Sequence, residues 1–492
     1  MKKGFASVYL VLILGSLVSF VLIVCEAASG FAAGSIAENL CMTAGRSVLS
    51  EFNKELYSRY GIFALRSDGI FLEDMYSYYL QQGLGSSDGF LTMSCRQLSI
   101  DTEGYAGLDA DALMPQVLSL GKLCAAEALL DSDGLSDLLQ KLAALGGKDL
   151  GTEDVGRMLS DLKEQADEEE EAAAAEYTED PGLEDSGDGG SAAQAKAKKK
   201  KSQISALKAI YEAAQRVGEA SCEDGNTIPA EALALLPSAQ LGTGSRSLLL
   251  LSGGLAGLSA DSLLADEYMI HALGDLQEGR EGSFLLYQCE YLLFGKASDR
   301  ENAKACRFCI FRLRTALNTA ALLADPSKYS ELCTAAAMGF GLLPQPAAVM
   351  ILAAVWGAAE ASADTDELFS GGTVPYIKLS GDWTTSLNGL LSGLLEDALA
   401  EEAGPQSPDS ACGDYDAYLR ILMAMLPPEE KLVRLMDLMQ MDVGLAAGTG
   451  FRFRDCCYGF NARVQLSKPS RFPGLSLERS RYGTIAQSYS YN

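Results

Sequence analysis

Residues 1–30 read MKKGFASVYLVLILGSLVSFVLIVCEAASG. Two lysines precede an uncharged run from Phe5 to Cys25, 21 residues long, and Glu26 ends it. As a helix rising about 1.5 Å per residue, a run of this length crosses about 30 Å of hydrocarbon. Three readings compete: a cleaved export signal, a permanent anchor, and a pilin-like leader that polymerises. A cleaved signal usually has an apolar core of about 7–15 residues followed by small residues. Ala27, Ala28, Ser29 and Gly30 supply the small residues. The core is longer than that, so an uncleaved transmembrane helix over residues 5–27 is the expectation. Lys2 and Lys3 hold a cytoplasmic stub, residues 1–4, because positive charge is retained on that side. The bulk of the chain is then extracellular, with the lipid bilayer as a partner through residues 5–27.

Beyond Glu26 the pattern predicts that the helix continues to Tyr60. Ile36, Leu40, Ala44, Val48, Phe52, Leu56 and Tyr60 recur every fourth residue. Such a ladder drifts by about 40° per step around a helix of 3.6 residues per turn, so it asks to be wrapped by its own domain. Gly61 supplies a C-terminal stop.

Hydrophobic residues make up 48% of the 492, enough for a packed core, and the formal net charge of −27 repels phosphate backbones. Nucleic acid is therefore not an expected partner, with KAKKKK (196–201) as a local basic exception. Twelve cysteines suit an oxidising compartment. However, Cys25 lies in the anchor and leaves an odd eleven without a framework spacing. The single C-x-x-C, Cys306 and Cys309, sits in KACRFCIFRLRTAL, which reads as helix interior. Redox chemistry wants the first sulfur at a helix N-terminus, so buried apolar cysteine is the reading preferred.

Along the chain, residues 71–83 read as a short helix, 90–100 as a strand, and 109–162 as short Leu/Ala-rich helices. DSDGLSD (131–137) has its glycine two positions early for a calcium loop, so helix capping by Asp131 or Asp133 is the plainer reading. Residues 163–202 run from an acidic block through a Gly/Ser patch to a basic block, and read as a disordered charged linker. Residues 203–442 are mostly helical. Cys333–Ala359 is uncharged, but PQP (344–346) divides it into pieces too short to span a membrane, so two buried helices are expected. GFRFRDCCYGFNARVQL (450–466) and TIAQSYSY (484–491) read as strands that join 90–100 in one small sheet.

The fold class is therefore α+β and predominantly α-helical: an N-terminal transmembrane helix continuing into a long helix, and a helical ectodomain with a small antiparallel sheet. Residues 28–162 and 203–492 are expected to form two halves of one discontinuous ectodomain. The helix over 26–60 would pack against helices from beyond residue 203, and the linker would loop out. Replacing 165–200 by a short loop would then leave the melting temperature nearly unchanged.

Chemistry is thinly represented. With one histidine, His271, in DEYMIHALGDL, multi-histidine sites are excluded, and its helical spacing beside Met269, Ile270 and Leu273 points to a structural role. Asp266 with Glu267, Asp364 with Asp366 and Glu367, and Glu429 with Glu430 are carboxylate pairs, but adjacency in sequence does not set the separation that glycoside hydrolysis needs. GGLAGLSA (253–260) lacks the Gly-Lys-Ser/Thr ending of a phosphate loop. No catalytic, cofactor-binding or metal-ligating residue is nominated, and no cofactor is expected.

Several segments resemble a known family: KKGFASVYLVLIL (2–14) with the Glu26 stop, SEFNKELYSRYGIF (50–63), LYQCEYLLFGKASDRENAKA (286–305), AAVWGAAEASADTDELFSGGTVPYIKLSGDW (353–383) and DYDAYLRILMAMLPPEEKLVRLMDLMQMDV (414–443). They are similar to a family of single-pass membrane proteins of Gram-positive bacteria catalogued as a domain of unknown function, number 5702. That family is distantly like the TadE/TadG-type pseudopilins. A prepilin is cut after a glycine and carries Glu five residues later, whereas here Gly4 is followed at that place by Tyr9. A lone anchor with a protein-binding ectodomain therefore suits these residues better than polymerisation through that charge pair. The expected function is non-enzymatic, as a component or accessory of a Tad-like pilus or secretion apparatus, with envelope or pilus proteins as partners. The alternative is a membrane-tethered cell-wall hydrolase using carboxylates.

Overall fold

The computed structural model describes residues 3–85, 93–128, 152–176, 189–218, 225–242, 259–339, 345–392, 411–446, 448–469 and 484–491. The chain divides into two compact units, both discontinuous in sequence. Unit 1 comprises Met1–Leu120, Leu235–Leu241 and Leu435–Asn492; unit 2 comprises Gly121–Ala234 and Gly242–Arg434. The chain's end returns to complete the unit that its beginning starts.

Unit 1 is built on α1 (Lys3–Leu49), one unbroken helix without proline. At about 1.5 Å per residue it is about 70 Å long. Its first half is apolar and exposed from Val8 to Val24, while Ala33, Ala37, Cys41, Ala44 and Val48 are buried. Steps of four, four, three and four keep these five on one face. The expected ladder is therefore corrected: Ile36 and Leu40 flank the core half-buried, and small residues occupy its centre.

The expected run to Tyr60 is also corrected. α1 stops at Leu49, and α2 (Lys54–Tyr60) starts afresh. The Asn53 side chain accepts the Leu56 N–H at 3.0 Å, a cap on the third helical nitrogen. Phe52 before the cap packs on Tyr57, ring centroids 5.2 Å apart, which staples the entry angle. Gly61 ends α2 in the left-handed region, φ 68°, donating to Tyr57 O at 2.8 Å, the stop expected of it.

α3 (Gly69–Gly85) buries Leu72, Tyr76 and Leu80, four residues apart. α4 (Ala110–Ala128) follows; its Gln116 takes the Phe63 N–H at 2.8 Å and donates to Phe63 O at 3.0 Å, so an amide side chain acts as a ladder rung. The three strand segments read from the sequence form one antiparallel sheet in the order β1 (Ser94–Asp101), β2 (Gly459–Ser467), β3 (Thr484–Ser490). Phe460, Ala462, Val464 and Leu466 of β2 alternate onto one face, where α1 and α3 cover them. Each such large side chain contributes roughly 1.5–3 kcal/mol. α1 thus packs on α3, β2 and β3, while Tyr60 of α2 reaches beyond residue 203 and donates to the buried Asp442 carboxylate at 2.6 Å. Its small face lets the sheet close in: a Cβ at Gly45 would overlap the Tyr489 ring, whose hydroxyl donates to Cys41 O at 2.8 Å. Gly45→Leu should therefore destabilise unit 1 by about 3 kcal/mol, read as lost hydrogen-exchange protection in β3. Unchanged protection would contradict this packing.

Unit 2 is helical. α5 (Thr152–Glu176) and α6 (Gly189–Gly218) pair through Leu159, Leu162 and Ala166 against Ile204, Leu207 and Tyr211. The stretch 163–202, expected as a linker, is therefore helical at 163–176 and 189–202; residues 177–188 lie outside the described residues. Lys201 sits 2.8 Å from both Asp167 and Glu170, so the acidic and basic blocks answer each other across the pair. Excising 165–200 would then remove packed surface, and a loss of melting temperature replaces the neutrality expected.

Next come α7 (Ala260–Ala272), α8 (Gln288–Phe294), α9 (Asp299–Ala324) and α10 (Pro326–Gly339). α11 (Gln345–Phe369) has Pro346 in its first turn, where a missing N–H costs nothing. It is apolar and long enough to cross a membrane by length alone, but it is buried in unit 2, as the sequence suggested. It packs along α9, where Gly357 lets the helices approach: a Cβ there would lie 3.0 Å from Thr319 N. α12 (Tyr415–Ala424) and α13 (Pro428–Gln440) follow, and the unit boundary falls within α13. Asp131, Asp133 and most of 253–260 lie outside the described residues.

Candidate functional site

The polar chemistry of unit 2 is concentrated in buried ion pairs. Arg314 on α9 is fully buried, flanked on its face by Ile310 and Leu317. Its Nη2 and Nε donate to Asp364 Oδ2 of α11 at 2.7 and 3.0 Å, and Nη1 donates to Pro375 O, Tyr376 O and the Tyr418 hydroxyl at 2.8–3.0 Å. Asn318 adds a bond of 2.8 Å to the same carboxylate oxygen. Lys378 pairs with Asp364 Oδ1 at 2.7 Å and with Glu360. Glu360 in turn accepts the N–H and hydroxyl groups of Thr384 and Thr385 at 2.6–2.9 Å. Two cations balance two anions, and each carboxylate oxygen has donors. Burial raises the Asp364 carboxyl, but the Arg314 and Lys378 charges outweigh it and hold it below the usual range.

A second cluster lies where α8, α9 and α12 meet. Glu290 is fully buried; Oε1 accepts from the Tyr415 hydroxyl and, at 3.1 Å, from Leu276 N–H, while Oε2 has no partner. Burial pushes Glu290 up to about 7. The Tyr415 hydroxyl also lies 3.5 Å from Cys306 Sγ. Burial, together with the charges of Asp275 and Asp414, pushes Asp416 up to about 6. Nearby, Asp299 ties three segments together, accepting N–H groups of Asn226, Leu286 and Tyr287 at 2.8–3.1 Å.

The carboxylate pairs singled out in the sequence do not converge. Asp266 is buried against Lys431, with burial pushing it up to about 6, while its neighbour Glu267 pairs with Arg420 at 2.9 Å. Asp364 belongs to the Arg314 network, but Asp366 pairs with Arg307. Glu430 pairs with Arg434, and Glu429 is exposed. Asp266 and Glu267, and Glu429 and Glu430, are adjacent on their helices and so point about 100° apart. His271 is exposed in the last turn of α7. Cys306 and Cys309 are buried within α9, and burial raises both thiols. Among the described residues no group of three or more His, Cys, Asp or Glu is arranged to hold a metal ion. Sequence reasoning missed Arg314, Lys378 and Lys431. A cation flanked by apolar residues three and four positions away, as in Ile310-Arg314-Leu317, was the available signal.

The other chemically distinct surface is the first half of α1, an exposed apolar helix long enough to span a bilayer. Together these features define a helix-dominated α+β protein with an N-terminal apolar helix and ion-paired interior. A family model described as a family of unknown function (DUF5702) matches residues 191–468, and the chain belongs to that family. The match spans most of unit 2 and ends in unit 1 just after β2, so the resemblance noted at 2–14 and 50–63 lies outside it. No curated protein and no solved structure matches the chain.

Proposed function

We propose that the protein is a single-pass membrane protein, amino terminus cytoplasmic and bulk extracellular, that acts without catalysis in the cell envelope. The role proposed is component or accessory of a Tad-like pilus or secretion apparatus of the Gram-positive type. One observation carries the reading: α1 is bare and apolar through its first half and is the packed spine of unit 1 through its second. A helix so divided couples a folded unit rigidly to a bilayer, as suits a part of a larger assembly. Three of the buried carboxylates speak for the same side, since Asp266, Glu360 and Asp364 are held in ion pairs inside unit 2. Deleting the chain in its native cell should abolish appendage assembly, and only a copy retaining residues 3–25 should restore it. Normal assembly in the deletion would overturn the reading. Release of sugar from cell wall by the purified chain would favour the hydrolase alternative.

A further inference from the structure

We infer that unit 1 is seated directly on the bilayer surface, with Phe31 in the headgroup layer and the Lys468 end of the sheet nearest the bilayer. This rests on the anchor reading above and adds the height and orientation of the unit. Three contacts set the direction. Tyr489 near the end of β3 reaches Cys41 O at 2.8 Å, and Tyr491 just beyond reaches Leu49 O, so β3 climbs alongside α1 away from its apolar half. β2 is antiparallel to β3 and descends until Lys468, just past its end, meets the Ser29 hydroxyl. The strands therefore run along α1, and one end of the sheet reaches Ser29.

That end is close to the membrane. Ser29 is four residues beyond Cys25, the last of the uncharged run, or about 6 Å along the helix. Ala33, the first residue buried on the sheet side, is about 12 Å beyond Cys25. The headgroup region adds only about 5–8 Å to each side of the hydrocarbon. Because α1 is unbroken through this interval, no flexible tether lifts the unit away. One side chain at this height suits lipid. Phe31 is 83% exposed, within a stretch free of charge from Ala27 to Ala37. Lys468 is buried against the Ser29 hydroxyl, which fixes that end of the sheet to α1 at the same level.

The test places single tryptophans in the full chain reconstituted in vesicles carrying lipids brominated along the acyl chain, with the unsubstituted chain as background. Val21→Trp reports the span, Phe31→Trp the seat, and Tyr57→Trp a site beyond the far end of α1. Quenching is expected to be strong for Val21→Trp, clear for Phe31→Trp with bromine near the headgroup, and at background for Tyr57→Trp. Quenching of Phe31→Trp at the Tyr57→Trp level, with Val21→Trp still quenched, would overturn the seat and leave the anchor standing. Val21→Trp at background would instead sink the anchor reading itself.

Discussion

Arg314→Ala is expected to cost the folded chain about 3–5 kcal/mol. The guanidinium is wholly buried, and its removal takes a cation from Asp364 and a donor from each of the carbonyls of Pro375 and Tyr376. An uncompensated buried charge is costlier than the pair is worth, so the paired replacement Arg314→Met with Asp364→Leu should lose less than Arg314→Ala. The chain's two tryptophans, Trp356 and Trp383, both lie in unit 2, and Trp356 donates to Thr385 beside Glu360. Urea unfolding followed by tryptophan fluorescence therefore reads this network. A loss under about 1 kcal/mol for Arg314→Ala, typical of an exposed pair, would contradict the balanced network.

Unit 2 should also lose about 3 kcal/mol of stability as pH rises from about 4.5 to about 7. The source is Glu290, raised from 4.5 to about 7 by burial against the opposing hydrogen bond of Tyr415. Between those values the folded chain holds a proton that the unfolded chain has released, so stability is full below the lower value and falls through the upper. Asp416 and Asp266, each pushed up to about 6, act in the same direction. The groups facing Glu290 make the site's preference clear: Asp275 and the thiols of Cys289 and Cys306 lie around it, and its Oε2 is unpartnered. Glu290→Gln keeps the shape and cannot ionise, and should remove the Glu290 share of the slope, most visibly between pH 6 and 7, above the values of Asp416 and Asp266. An unchanged slope in that variant would assign the pH dependence elsewhere.

Much of the backbone was legible because it rests on local pattern. The apolar run before Glu26, the stop at Gly61 and the three strand segments follow from length, a left-handed glycine and two-residue alternation. What escaped was one short local signal and several partners distant in sequence. The break at 50–53 hangs on Asn53 capping and on Phe52 meeting Tyr57, a short signal inside a longer apolar ladder that pointed the other way. Residues 163–202 looked unable to order themselves because each block was weighed alone. Lys201 with Asp167 and Glu170, and Leu162 with the apolar face of α6, stabilise the pair only once both helices are present. The ion network escaped for the same reason, since Arg314, Asp364 and Lys378 come from three separate segments.

The central claim is that α1 is at once membrane span and spine of an extracellular unit 1. It is tested most directly by a membrane-impermeant maleimide applied to intact cells carrying Ser99→Cys, an exposed position on β1, with the unsubstituted chain as background. Labelling of Ser99→Cys above background, with an amino-terminal epitope reachable only after permeabilisation, is the predicted result. Labelling of Ser99→Cys that requires permeabilisation, or recovery of the whole chain in the soluble fraction, would contradict it.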